Sequence, residues 1–201
     1  MSQFAFHLDM SRCTGCKTCV VACKDAYDLD VGVAFRRVYE AVGGTTTKDE
    51  MGCAHTDCFV YYLSLSCNHC ADPVCVEVCP TQAMHKDPDT GLVSVDVEKC
   101  IGCGYCHLSC PYSAPKVDAT KGHSVKCDGC AARVLAGEAP ICVLACPARA
   151  LSFGEVEDMR KKGEVADVAP LPSAAHTLPN FFITPCQDAR PSDSDEVAVG
   201  N

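Results

Sequence analysis

Residues 100–111 read Cys100-Ile101-Gly102-Cys103-Gly104-Tyr105-Cys106-His107-Leu108-Ser109-Cys110-Pro111, four cysteines at the spacing C-x2-C-x2-C-x3-C closed by a proline. The same spacing occurs at Cys13, Cys16, Cys19 and Cys23. Two looser groups stand between and after them: Cys67, Cys70, Cys75 and Cys79 (C-x2-C-x4-C-x3-C), and Cys127, Cys130, Cys142 and Cys146 (C-x2-C-x11-C-x3-C). Pro80, Pro111 and Pro147 follow the last cysteine of three groups, and Lys24 follows that of the first. Of the 19 cysteines, Cys53, Cys58 and Cys186 lie outside the groups.

Such spacing suits a cluster of irons better than a single ion. Zinc takes four thiolates, but its common signature is two separated C-x2-C pairs. Three close cysteines, a fourth after x3 and a proline are the bacterial ferredoxin run. Two cysteines separated by two residues bind one cube if the chain curls tightly. Gly15, Gly102 and Gly129 supply the permissive backbone for that curl, and Asn68 is the candidate in the second group. The third and fourth cysteines, four apart, share a face of a short helix that the following proline ends.

In two-cluster ferredoxins the fourth cysteine of one run serves the other cluster. Between Cys79 and Cys100, the stretch Asp87-Pro88-Asp89-Thr90-Gly91 followed by alternating residues 92–97 predicts a β-hairpin. That connection joins the second and third groups into one module and leaves the first and fourth to pair around it. Exchange of fourth cysteines then predicts four 4Fe-4S sites: Cys13, Cys16, Cys19 with Cys146; Cys127, Cys130, Cys142 with Cys23; Cys100, Cys103, Cys106 with Cys79; and Cys67, Cys70, Cys75 with Cys110. Each oxidised cube with its thiolates adds about −2 of charge. Arg12, Lys17, Lys24, Lys99, Lys116 and Lys126 lie near ligands and are candidate compensators, or else ordinary surface charges.

The rest of the composition excludes several classes. In 201 residues, 26 acidic against 17 basic side chains and a net charge of −9 argue against a nucleic-acid partner. No run of 18 apolar residues is present to cross a bilayer, and no signal peptide precedes Cys13. With 6% aromatic residues and no Trp, a large conventional core is not expected. No Ser-His-Asp arrangement suggests catalysis, and His69 and His107 read as packing or hydrogen-bonding residues. Cys53, His55 and Cys58 read as unpaired thiols or a local disulfide rather than a metal site. Residues 35–40 and 58–66 read as strands around a Gly-Gly turn, residues 155–162 as a short helix, and the proline-rich residues 170–191 as an extended tail suited to lying along a partner.

These features resemble the four-cluster iron-sulfur (beta) subunits of molybdopterin oxidoreductases, dimethyl sulfoxide reductase most of all. The stretches that carry the likeness are SRCTGCKTCVVACK from Ser11, FRRVYE from Phe35, SCNHCADPVCVEVCPTQAMHK from Ser66, CIGCGYCHLSCPYSAP from Cys100, KGHSVKCDGC from Lys121 and APLP from Ala169. Some relatives carry Trp in the third group and hold a three-iron cluster; Cys103 keeps the full set here. The expected fold is α+β, two ferredoxin-like two-cluster modules with one inserted in the other, a β-hairpin insertion and an extended C-terminal tail. The corresponding segments are 1–29 and 116–153 for the outer module, 67–115 for the inner one, 30–66 for the insertion and 154–201 for the short helix and tail.

The resemblance further implies an electron-transfer subunit without bond chemistry of its own. It would relay electrons from a quinol-oxidising membrane anchor subunit to a molybdopterin catalytic subunit that reduces sulfoxides or N-oxides in anaerobic respiration. The cube on Cys67, Cys70, Cys75 and Cys110 is expected nearest the quinol, and that on Cys13, Cys16, Cys19 and Cys146 nearest the molybdenum. The complex is expected at a membrane, on its extracytoplasmic (periplasmic) face after export with the catalytic subunit, with the cytoplasmic face as the other option. Related polysulfide, tetrathionate or formate enzymes, a free polyferredoxin, and a zinc-bound structural module are the competing readings.

Overall fold

The residues Phe4-Ala5-Phe6-His7-Leu8-Asp9 form strand β1 (Phe4–Asp9), whose successive side chains point to opposite faces. Ala5, Phe6, His7 and Leu8 are all buried, so both faces are covered. In the computed structural model, which describes residues 3–200, β1 lies inside a four-stranded sheet. Its neighbours are β10 (Leu151–Glu155), antiparallel, and β12 (Phe181–Thr184), parallel; β11 (Glu164–Val165) pairs antiparallel with β12 at the edge. A second, antiparallel sheet runs in the order β13 (Ala198–Gly200), β2 (Arg37–Gly43), β5 (Phe59–Leu65).

One core joins the two sheets. Phe6, Leu8, Leu151, Phe181 and Ile183 from the first meet Ala41, Tyr61, Leu63 and Leu65 from the second. The other face of the first sheet is closed by helix α6 (Val156–Arg160), where Met159 packs on Ala5 and Phe182. At roughly 25 cal/mol per Å² of apolar surface removed from water, these side chains are the main source of hydrophobic stabilisation outside the cysteine sites.

The remaining elements are short. Hairpins are formed by β3 (Thr46–Lys48) with β4 (Ala54–Thr56), β6 (Met84–Lys86) with β7 (Val93–Val95), and β8 (Lys116–Asp118) with β9 (His123–Val125). The helices are α1 (Thr18–Ala26), α2 (Val74–Glu77), α3 (Tyr105–Ser109), α4 (Ala131–Leu135) and α5 (Ile141–Leu144). Proline sets their lengths: α2, α3 and α5 stop before Cys79-Pro80, Cys110-Pro111 and Cys146-Pro147, whereas α1, in which Lys24 and not proline follows Cys23, runs on to Ala26. The architecture is α+β with small sheets and short helices. Among the described residues no helix is long and apolar enough to cross a membrane.

Two segments differ from the sequence expectation. The tail is not an extended arm: β12 is an inner strand, and Phe181, Phe182 and Ile183 are at most 3% exposed. These apolar residues outweigh the flanking prolines by burying themselves against β1. Residues 30–66 do contain the expected hairpin, β2 pairing antiparallel with β5, but it is built into the core and not peripheral to it. Tyr61, Leu63 and Leu65 alternate onto one face of β5 and build the main core, and only β3 and β4 project into solvent.

Candidate iron-sulfur sites

Three of the cysteine groups begin with a curl at glycine, where Gly15, Gly102 and Gly129 have φ of +69°, +68° and +75°. An alanine Cβ at position 102 would lie 2.5 Å from the Gly122 carbonyl oxygen, so steric room as well as φ requires glycine there. In the second group the left-handed residue is His69 (φ +44°), not Asn68. His69 occupies the position that glycine holds in Cys13-Thr14-Gly15-Cys16, a correspondence visible in the alignment of the groups.

The structure brings members of each of the four expected sets of thiols near one another. Cys13, Cys16, Cys19 and Cys146 line one hollow, and Cys79, Cys100, Cys103 and Cys106 line another. Cys67, Cys70, Cys75 and Cys110 gather in the interior: burial, with the Cys67, Cys110 and Cys70 thiols adding to it, pushes Cys75 up to about 12. Cys70 is likewise pushed to about 12, by burial first and then by Cys67 and Cys110. Cys23 is raised to about 12 by burial and by the nearby Cys142 and Cys130. Cys127 is buried and raised as well, by burial first, then Cys67, with Cys142 contributing. Thiols so crowded and desolvated are poor anions by themselves; a cationic iron core between them removes the penalty.

Backbone and hydroxyl donors surround the sulfurs. The N–H groups of Ser124, Met84, Ala150 and Gly129 donate to Cys100 (3.3 Å), Cys79 (3.4 Å), Cys146 (3.3 Å) and Cys127 (3.4 Å). Cys106 and Cys19 pair with the hydroxyls of Ser124 (3.4 Å) and Ser64 (3.3 Å). Among the described residues, no three His, Cys, Asp or Glu side chains converge closely enough to share one metal ion. Four thiolates on zinc would lie about 3.8 Å from one another. Four thiols to a set are the donors that a 4Fe-4S cluster takes.

Three buried donors next to these sulfurs, Arg36 Nε, Asn68 Nδ2 and His69 Nε2, have no partner within the protein. His69 Nδ1 accepts from the Val93 N–H (2.9 Å), so its proton is on Nε2; burial lowers its pKa well below the usual histidine value and keeps the ring neutral. His107 Nδ1 pairs with the Pro115 carbonyl (2.8 Å). Both histidines are hydrogen-bonding residues here.

The compensating cations only partly match the sequence candidates. Lys126 is buried, its Nζ donating to the Val93 and Cys127 carbonyls. Lys24 instead ties the Asp30 and Val33 carbonyls, and Lys99 pairs with Asp96 at 2.8 Å. Arg36, 1% exposed, and Lys86, whose Nζ donates to the Cys70 carbonyl at 2.7 Å, escaped the sequence reading because neither follows or precedes a ligand directly.

The gatherings also have an order. Cys19 feels Cys142, Cys127 feels Cys67, and Cys75 shares a cluster of packed side chains with Cys79 and Cys106. Cys16 and Cys103, in the first and third groups, are exposed, whereas Cys67 and Cys75 are buried. Of the set Cys67, Cys70, Cys75 and Cys110, expected at one end, Cys67 and Cys75 are buried and Cys70 and Cys110 half-buried. Cys53 and Cys58 are exposed and Cys186 half-buried; all three are free thiols, without a local disulfide. His55 Nε2 pairs with Asp49 Oδ2 at 3.0 Å.

Comparison with known proteins matches residues 58–156 to the 4Fe-4S dicluster domain family and residues 10–32 to a 4Fe-4S binding domain. The protein is 54% identical to a chain of the anaerobic dimethyl sulfoxide reductase of Haemophilus influenzae, over 100% of its own length and 98% of the relative's. It is 56% identical to the like-named chain of the Escherichia coli enzyme, over 95% and 93%. The formate dehydrogenase iron-sulfur subunit of Wolinella succinogenes is 34% identical, over 79% and 84%.

Proposed function

Because the protein belongs to the family of iron-sulfur electron-transfer subunits of dimethyl sulfoxide reductase, we propose that it relays electrons through four sites, held by the four sets of thiols described above, between a membrane anchor and a molybdopterin catalytic subunit. When bound, the 4Fe-4S clusters supply one-electron stations. The residues of this protein hold them in sequence, exclude water and donate hydrogen bonds to the sulfurs.

The observation that carries this reading is the exposure of Cys16 and Cys103 in two of the sets, against the burial of Cys23, Cys127, Cys130 and Cys142 and of Cys67 and Cys75 in the other two. It favours the site on Cys13, Cys16, Cys19 and Cys146 as the exit toward the molybdenum subunit, then that on Cys23, Cys127, Cys130 and Cys142, then that on Cys67, Cys70, Cys75 and Cys110, with Cys79, Cys100, Cys103 and Cys106 as the entry from the anchor. Exposed apolar side chains at both ends support contacts with partner proteins: Ile101, Tyr105 and Leu108 near Cys103, and Val21 near Cys16. In this reading residues 1–29 and 116–153 form the outer two-cluster module and 67–115 the inner one. The partner's substrate is a sulfoxide or N-oxide.

Anaerobically prepared protein is expected to contain about sixteen irons and as many labile sulfides per polypeptide. Eight or fewer, with zinc making up the difference, would overturn the assignment. We place the complex on the extracytoplasmic face, carried there folded with the catalytic partner because clusters assemble on reduced thiols. Protease added to intact spheroplasts is expected to cleave this subunit; protection until lysis would put it on the cytoplasmic face.

A further inference from the structure

Arg36 is among the most deeply buried side chains of the molecule, and among the described residues no carboxylate lies within ion-pair distance of it. Its Nη atoms donate to neutral groups: the Ser64 carbonyl (3.2 Å), the Ser64 hydroxyl (3.1 Å) and the Ser66 hydroxyl (2.9 Å). The guanidinium lies over the Phe6 ring, 4.8 Å from its centroid, and Nε has no partner. A buried cation without an anion is costly, and neutral hydroxyls do not repay that cost.

The anions that can repay it are thiolates of two different sites. The hydroxyl that Arg36 holds on Ser64 contacts Cys19 Sγ at 3.3 Å, in the site with Cys13, Cys16 and Cys146. On the other side Cys142, grouped with Cys23, Cys127 and Cys130, packs in the same buried cluster as Cys19 and as the Phe6 ring beneath the guanidinium, and Cys142 and Cys127 favour the charged form of Arg36. Arg36 thus sits at the junction of two consecutive stations, on strand β2's entry from the segment that reads in sequence as a mere insertion.

We infer that Arg36 is a buried counter-charge shared by these two sites, favouring the reduced, more negative form of each and so raising both reduction potentials. The inference rests on the cluster-relay reading and extends it. Each site passes from about −2 to about −3 on reduction, so a fixed positive charge between them stabilises the reduced form more than the oxidised one. An effective dielectric near 20 makes such a charge worth at least about a decade in the equilibrium.

The test is an EPR-monitored redox titration of the purified complex carrying Arg36→Met, Arg36→Gln or Arg36→Lys, with iron and sulfide counted on the same samples. In the neutral variants two of the four cluster signals are expected to titrate lower, with the reduced-to-oxidised ratio at fixed potential falling about tenfold, or ~59 mV for a one-electron couple. The other two signals stay, and Arg36→Lys restores most of the shift. Full iron content with no signal moved, all four moved equally, or no rescue by lysine would overturn the inference while leaving the relay intact. If the neutral variants lose iron, retention by Arg36→Lys supports the charge and loss there too refutes it. Wild-type protein without four cluster signals would instead refute the relay.

Discussion

Replacing Cys103 by Ser is expected to stop turnover driven by quinol while a small reduced dye still reduces the other clusters. Cys103 is an exposed thiol at the rim of one hollow, and in the proposed next set Cys67 and Cys75 are buried. A quinol-linked partner therefore reaches the remainder of the relay only through this site, whereas a dye can enter at the other exposed end. The loss of quinol-linked activity should exceed the roughly 10–100-fold typical of changes around a metal site, since a station itself is removed. Cys16→Ser at the opposite end should abolish quinol-linked turnover to a similar degree yet leave the Cys67 and Cys103 sites reducible by quinol. Quinol-coupled assays with EPR quantitation of each cluster distinguish the two. A Cys103 variant shown to have lost its cluster but turning over quinol normally would reverse or abolish the proposed order.

Removing the clusters with a chelator under mild oxidation is expected to unfold residues 67–130 while the four-stranded sheet persists. The reason is where the apolar side chains are. Phe6, Leu8, Phe181, Ile183, Leu63 and Leu65 belong to a cluster of eighteen buried residues of which only Cys19, Cys142 and Cys146 are thiols. Around the third group the packed cluster is Cys75, Met84, Val93 and Cys106, half of it sulfur ligands. Metal binding free energy is folding free energy where the protein core is this thin. Hydrogen exchange should show β1, β10 and β12 still protected and β6, β7, α2 and α3 exchanging freely; uniform loss or uniform retention of protection would contradict this division.

The cysteines were legible because their spacing encodes local geometry: a glycine curl between the first two, a helical turn between the last two, a proline to end it. The β6–β7 hairpin was legible for a similar reason, its turn residues and alternation being contiguous. What required the structure was anything set by tertiary burial. Phe181-Phe182-Ile183 is too short an apolar run, among too many prolines, to announce an inner strand. Arg36 sits in FRRVYE, where nothing local distinguishes it from Arg37, which points to the Tyr112 and Ser113 carbonyls instead. The order of the sites depends on which way a hairpin folds, which spacing does not specify. His69 was readable in principle, since it stands in register with three glycines.

The parallel pairing of β1 with β12 has a consequence for biogenesis. A ribosome releases Phe4–Asp9 long before Phe181–Thr184, so the sheet's inner pair cannot form until everything between them has been made. Residues 67–110, by contrast, carry every ligand of two of the proposed sites in one contiguous stretch and, on that assignment, can receive their metal while the polypeptide is still being made. The nascent protein thus matures from the middle outward, and for much of its synthesis Cys13, Cys16 and Cys19 wait for Cys146 as unprotected thiols, the interval in which an oxidant or a stray soft metal does most harm and an assembly chaperone most good.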